Sequence, residues 1–202
     1  SNINVTKYDT VCCNYCGYAA LTKDFMNTTQ VQRKLLREKI QANYKSHEEV
    51  VCDAYSTETA ISRLKMALLC TVTKAGKESE IGNICLKIDW LYQDLADELE
   101  ENSSDYESKK ENYLAEAHNF AMNAYEHLSK ARMEEEFPIA GMNETTLDYL
   151  LSYLGYVKGE YQTAMQYLSG VVSTRGISPR LKDKCLELKE LLNQKLHASA
   201  DQ

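Results

Sequence analysis

An all-α fold built of antiparallel helical hairpins is what this sequence predicts, on three observations. Only two prolines and eight glycines interrupt its 202 residues, and runs of Leu, Ala, Glu and Lys, all strong helix formers, fill the spaces between them. Apolar residues recur with the 3.6-residue period of amphipathic helices, and no stretch reads as a convincing strand block. In 147–172, finally, two such patterns lie back to back with only Lys158-Gly159-Glu160 between them. So short a connection forces the helices antiparallel, and its glycine accepts the left-handed backbone that ends a helix. With 44% hydrophobic residues, the chain can bury one sizeable core or stack several repeats.

That hairpin organises the rest. Its first helix carries Leu147, Leu150, Leu151 and Leu154, and its second carries Tyr161, Ala164, Met165, Leu168 and Val172. The small Ala164 lets the two approach closely. Leu151 and Ser152, followed by Gly159, Tyr161, Ala164, Leu168 and Val171, resemble the tetratricopeptide repeat. One departure is Gly155, which stands where the repeat's first helix carries a tyrosine. The resemblance implies a right-handed solenoid of stacked hairpins over 27–202, behind a short irregular Cys knuckle at 1–26.

The remaining elements follow in order. A helix over 28–44 carries Val31, Leu35, Leu36 and Ile40 on one face and Arg33, Lys34, Arg37 and Lys39 on the other, read as a solvated basic surface. Residues 46–55 connect it to a helix over 58–74 that Ser56 or Thr57 caps and Gly76 ends. The next helix, 78–100, is strongly periodic through Ile81, Ile84, Ile88, Leu91 and Leu95, with Asp89 where a repeat has a small residue. Ser104-x-x-Glu107 forms a capping box for a fourth helix reaching about residue 135, longer than one repeat. Pro138 and Gly141 make 133–143 a linker, Asn143 caps the organising hairpin, and Ser178-Pro179 opens a terminal helix that shields the solenoid end.

Chemistry concentrates at Cys13-x-x-Cys16-Gly17. Two thiolates two residues apart can hold one zinc ion, with the glycine permitting the tight turn beneath it. Four ligands are usual, so the site is half complete in this stretch, and His47 and Cys52 are the candidate further ligands within the chain. A pair of reduced thiols in a plain turn is a second reading. A thiol redox pair is the third, and it would require a βαβ context and a helix N-terminus to lower the thiol pKa, a sheet that the surroundings do not offer. Seven cysteines without a framework spacing suit a reducing compartment.

A formal net charge of -7 with scattered Lys and Arg argues against a nucleic-acid footprint. No apolar run approaches a membrane span and no leader opens the chain, so a cytoplasmic location is expected. No phosphate loop, nucleophile elbow or His-Glu-x-x-His occurs, and the four histidines are dispersed. The expectation is therefore a non-enzyme.

Tyr8, Asp9, Cys13, Cys16, Gly17, Tyr18, Ala19 and Ala20, with Leu86-Lys-Ile-Asp-Trp-Leu-Tyr92 and Arg180-Leu-Lys-Asp-Lys-Cys-Leu-Glu-Leu-Lys189, resemble an uncharacterised bacterial family of unknown function over nearly the whole chain. That family has Cys-Pro-x-Cys-Gly at the knuckle and an earlier Cys-x-x-Cys pair upstream. Here the proline is missing. The resemblance implies Cys13 and Cys16 as zinc ligands without the partner pair, and it implies no activity.

Function is then expected from surfaces. In stacked hairpins the first helices line a groove, which places Asn83, Leu86, Trp90 and Gln93, and Tyr149, Tyr153 and Tyr156, as contacts for an unidentified protein or peptide. Trp and Tyr are the side chains that dominate such contacts.

Overall fold

The structure, a computed structural model, describes residues 4–48 and 54–200. It is mostly helical, and its helices pack in pairs. Seven α-helices are described: α1 (Gln30–Lys39), α2 (Thr57–Thr73), α3 (Glu78–Asp97), α4 (Tyr106–Glu134), α5 (Glu144–Lys158), α6 (Tyr161–Ser173) and α7 (Pro179–Ala200). The chain divides into two compact units, 1–124 and 125–202, and α4 supplies residues to both.

The expectation that strands are absent is corrected at the N-terminus. Strands β1 (Thr10–Cys12) and β2 (Ala19–Leu21) pair antiparallel, with Thr10 opposite Leu21 and Cys12 opposite Ala19. Three residues per strand are too few to display an alternating pattern. Burial is two-sided besides, since Ala19, Ala20 and Leu21 are all inaccessible to solvent. The hairpin is stable because it lies on α2, sharing a core with Leu64, Ala67 and Cys70 of that helix and with Ile84, Ile88 and Leu91 of α3. Leu36 and Ile40 join the same core from the α1 side.

Helix boundaries follow local chemistry. Thr29 and Gln32 form a reciprocal capping box at the start of α1, which ends at Lys39 because the chain tightens into a 3-10 turn over Gln41–Asn43. Ser56 caps α2 through the Thr59 amide. Ala75, with a positive φ of 51°, makes the turn beyond α2 where a glycine was expected to act, and Gly76 follows it. Lys74 and Glu80 close this corner as a buried ion pair of 2.7 Å. α4 begins at Tyr106, so Asp105 rather than Ser104 precedes it, with a carboxylate held by Lys109 at 2.7 Å.

In the second unit α5 and α6 form the antiparallel hairpin, joined at Gly159 with φ 89°. Contact between them is intimate: a Cβ added at Gly155 would lie 3.2 Å from Ala164 Cβ. Gly155 thus takes the place of a tyrosine because the facing helix leaves no volume there. The buried Ser152 hydroxyl donates to the Ala164 carbonyl at 2.7 Å. Asn143 caps α5 through the Thr146 amide, and Ser178 caps α7 through the Leu181 amide. Cys185, Leu188 and Leu192 of α7 pack on Ala164, Leu168 and Val171 of α6.

Replacing Ala164 with Leu forces three extra carbons into this contact, and overpacking of that kind costs about 1–3 kcal/mol. Urea denaturation of Ala164→Leu is expected to show that loss, and a stability equal to the parent would contradict the packing.

Candidate functional site

The knuckle is the turn of the β1–β2 hairpin. Its geometry comes from backbone hydrogen bonds that follow the ladder outward: the Cys13 amide donates to the Tyr18 carbonyl at 2.8 Å and the Gly17 amide to the Cys13 carbonyl at 2.9 Å. Gly17 adopts φ 74°, and its Cα faces the Tyr44 ring so closely that an added Cβ would lie 2.6 Å from Tyr44 Cγ. Both the left-handed backbone and the ring exclude any side chain. Tyr18 is pinned by its hydroxyl, which donates to the Phe25 carbonyl at 3.0 Å, and by ring contact with Phe25 at 4.9 Å.

Beneath the turn lies Cys70 of α2, a residue that sequence reasoning passed over as one more apolar position. Its sulfur accepts the Ala19 amide at 3.4 Å and its thiol donates to the Gly17 carbonyl at 3.6 Å. Burial pushes this thiol's pKa up, so it remains a neutral donor. Asp9 reaches Lys87 of α3 at 2.7 Å. Arg63 of α2 donates to the Thr10 carbonyl at 3.0 Å and stacks on Tyr55, against which Tyr8 also packs. Nothing local in the sequence announces these partners, because each lies some fifty residues or more from the hairpin.

The two knuckle thiols are not equivalent. Amide hydrogen bonds from Cys16 and Tyr15 lower the Cys13 pKa. Desolvation raises that of Cys16. The thiols also hydrogen-bond to one another. Amides directed at a sulfur favour its thiolate, the form required both for metal binding and for nucleophilic attack.

Of the proposed internal zinc set, Cys13, Cys16 and His47 lie among the described residues. His47 does come to the knuckle, its amide donating to the Asn14 carbonyl at 3.2 Å. Its Nδ1, however, is bonded to the Tyr44 hydroxyl at 3.1 Å. Cys52 lies outside the described residues. Among the described residues no three His, Cys, Asp or Glu side chains are grouped so as to hold a metal ion. Cys13 and Cys16 carry thiols, a donor type that zinc takes.

The expected groove residues separate. Asn83 and Leu86 are 9% and 2% exposed, which corrects their placement on an open surface. Asp89 is buried as well, its pKa raised to about 6 by desolvation. Gln93, on the surface, donates to Asp89 Oδ1 at 2.7 Å and so holds that carboxylate. Trp90 remains 45% exposed on α3, and Tyr153 45% exposed on α5. Tyr149 and Tyr156 are half-buried against the α6–α7 core, with Tyr156 touching the Tyr161 ring at 5.9 Å. No described helix is long and apolar enough to cross a membrane.

Residues 1–192 match the family described as an uncharacterized protein conserved in bacteria, DUF2225. The chain belongs to the DUF2225 family. No curated protein and no solved structure matches it. In this DUF2225 chain the motif residues divide by physical role. Gly17, Tyr18, Ala19 and Ala20 build the hairpin, Asp9 ties it to α3, and Cys13 closes the turn through its backbone while its sulfur meets the Cys16 thiol and the Tyr15 and Cys16 amides.

The opposite displacements of Cys13 and Cys16 predict two alkylation profiles. Iodoacetamide should modify Cys13 with a pH midpoint below the usual value near 9, because its thiolate is stabilised, and Cys16 with a midpoint above it. Mass mapping of modification rates between pH 6 and pH 10 checks this, and a common midpoint would contradict it.

Proposed function

We propose that this DUF2225 protein is a cytoplasmic, non-enzymatic interaction scaffold. In this reading its helices form a tetratricopeptide-like right-handed solenoid that binds a protein or peptide partner, and its Cys knuckle supplies two thiolates to a zinc ion. The observation that carries the partner-binding reading is the exposure of a large aromatic on each of two first helices, Trp90 on α3 and Tyr153 on α5. Each keeps 45% of its surface open. Aromatics of this size dominate binding energy where they are desolvated by a partner. The contact of Ser152 with the Ala164 carbonyl, both at positions that match the repeat, supports the repeat assignment for α5 and α6.

For zinc, the support is the amide-stabilised Cys13 sulfur in a hairpin turn with a left-handed glycine. The other ligands would come from outside the described residues. A second reading, thiol redox chemistry, is favoured by one observation: the hydrogen-bonded Cys13–Cys16 pair with one lowered and one raised pKa. That asymmetry is what an attacking and a resolving thiol require.

Tyr153→Ala is expected to reduce recovery of the partner from a bacterial lysate at least about tenfold, a loss of one interfacial aromatic anchor, while leaving the thermal midpoint unchanged. Undiminished recovery would contradict the groove. Added zinc is expected to slow alkylation of both Cys13 and Cys16, with a chelator restoring it. Zinc-insensitive alkylation together with ready Cys13–Cys16 disulfide formation by oxidised glutathione would favour the redox reading instead.

A further inference from the structure

A cavity of about 180 Å³ opens beside the knuckle, between the β2 end of the turn and α1. Its floor is apolar, made by Leu36 and Ile40 of α1 and by the Tyr18 ring, and Cys16 forms part of its wall. Two cations stand at it, Arg33 and Arg37. Their spacing of four residues places them on successive turns of one helix face. Leu36 and Ile40 share the same spacing and turn inward, so α1 presents a charged rim above an apolar floor.

Two of the four basic residues of α1, Arg33 and Arg37, thus line a cavity, where the sequence suggested one solvated face. Lys34 has a carboxylate neighbour, Glu38, at 3.8 Å. Among the described residues neither Arg33 nor Arg37 has an acidic partner, although the chain carries a net charge of -7. Two guanidiniums left together in an acidic protein make a local positive field at a cavity mouth. Each can grip an oxyanion with two parallel hydrogen bonds.

The pocket is also set in advance. Tyr18 is fixed by the Phe25 carbonyl and the Phe25 ring, and the α1 start is fixed by its capping box. Its volume equals roughly six waters at about 30 Å³ each. That is well below the roughly 300 Å³ at which drug-sized ligands begin, so nucleotides and dinucleotides are too large for it. A single ring or a branched alkyl group fits, with its charged head at the arginines.

We propose that this pocket binds a small organic monoanion, a carboxylate carried on an aryl or branched-alkyl body, with Arg33 and Arg37 holding the head group and Tyr18, Leu36 and Ile40 enclosing the body. The carboxylate is preferred because its planar pair of oxygens matches the guanidinium fork. Occupancy would shield Cys16, which links ligand binding to the state of the knuckle.

Phenylacetate is a suitable probe, titrated into the full chain and followed by NMR of the Tyr18, Leu36 and Ile40 resonances. Saturable shifts are expected. Phenylacetamide, which has the same shape without the charge, should bind at least about tenfold more weakly, as should phenylacetate to Arg33→Gln or Arg37→Gln, each loss being about one charge-assisted contact. Both arginines are exposed, so these variants should retain the parent's thermal midpoint. Saturating phenylacetate should slow iodoacetamide modification of Cys16 more than that of Cys13. Absence of saturable shifts, equal binding of acid and amide, or a double arginine variant that binds like the parent would overturn the site. Tighter binding of phenyl phosphate than of phenylacetate would overturn the carboxylate assignment.

Discussion

A buried thiol holds the N-terminal half of this molecule in register. Cys70, inside α2, accepts a hydrogen bond from the Ala19 amide and donates one to the Gly17 carbonyl. A two-stranded ribbon of this size is at best marginally stable alone in water. On α2 it becomes part of a core. Ala19 and Leu21 are fully enclosed with Leu64 and Ala67, and the small alanines allow the strand backbone to come near enough to the helix for the sulfur to reach it. Asp9 with Lys87, and Arg63 with the Thr10 carbonyl, fasten the other strand. The knuckle is thus a preorganised display: its sulfurs project from a turn whose backbone is already satisfied.

The pocket beside α1 depends on the same arrangement. Tyr18 can line it only because Gly17, in its left-handed conformation against Tyr44, sends the next residue toward Phe25. Leu36 and Ile40 form the floor because the α1 apolar stripe packs on this core. In the second unit a different constraint operates. There Gly155 and Ala164 set the separation of α5 and α6, and α7 covers the face of α6 that would otherwise expose Leu168 and Val171. Arg132 joins Asp148 and Glu144 at the start of α5, which gives the α4 end in that unit its own polar anchor.

Much of the helical framework was legible in the sequence, since long periodic stretches such as those around Ile84 to Leu95 and Leu147 to Leu154 carry their own signal. Caps at Ser56, Asn143 and Ser178 were legible for the same reason: the hydrogen bond is local. Contacts that bridge large separations were not. The strands escaped notice because three residues buried on both faces show no period. Cys70 looked like any apolar α2 residue, and Asn83 and Leu86 were assigned to a surface by repeat analogy although both are buried. The separation of Arg33 and Arg37, over a cavity, from Lys34, paired with Glu38, required the position of Tyr18, which no local pattern reports.

The measurement that bears most directly on a knuckle held from below is amide hydrogen exchange in metal-free protein. If the Cys70 contact and the shared core hold the hairpin, the Ala19 and Cys13 amides should exchange as slowly as those of Leu64 and Ala67 in the middle of α2, through opening of the whole core. Exchange of Ala19 and Cys13 at the rate of an unstructured peptide, with α2 still protected, would show that the hairpin detaches on its own and would contradict the account.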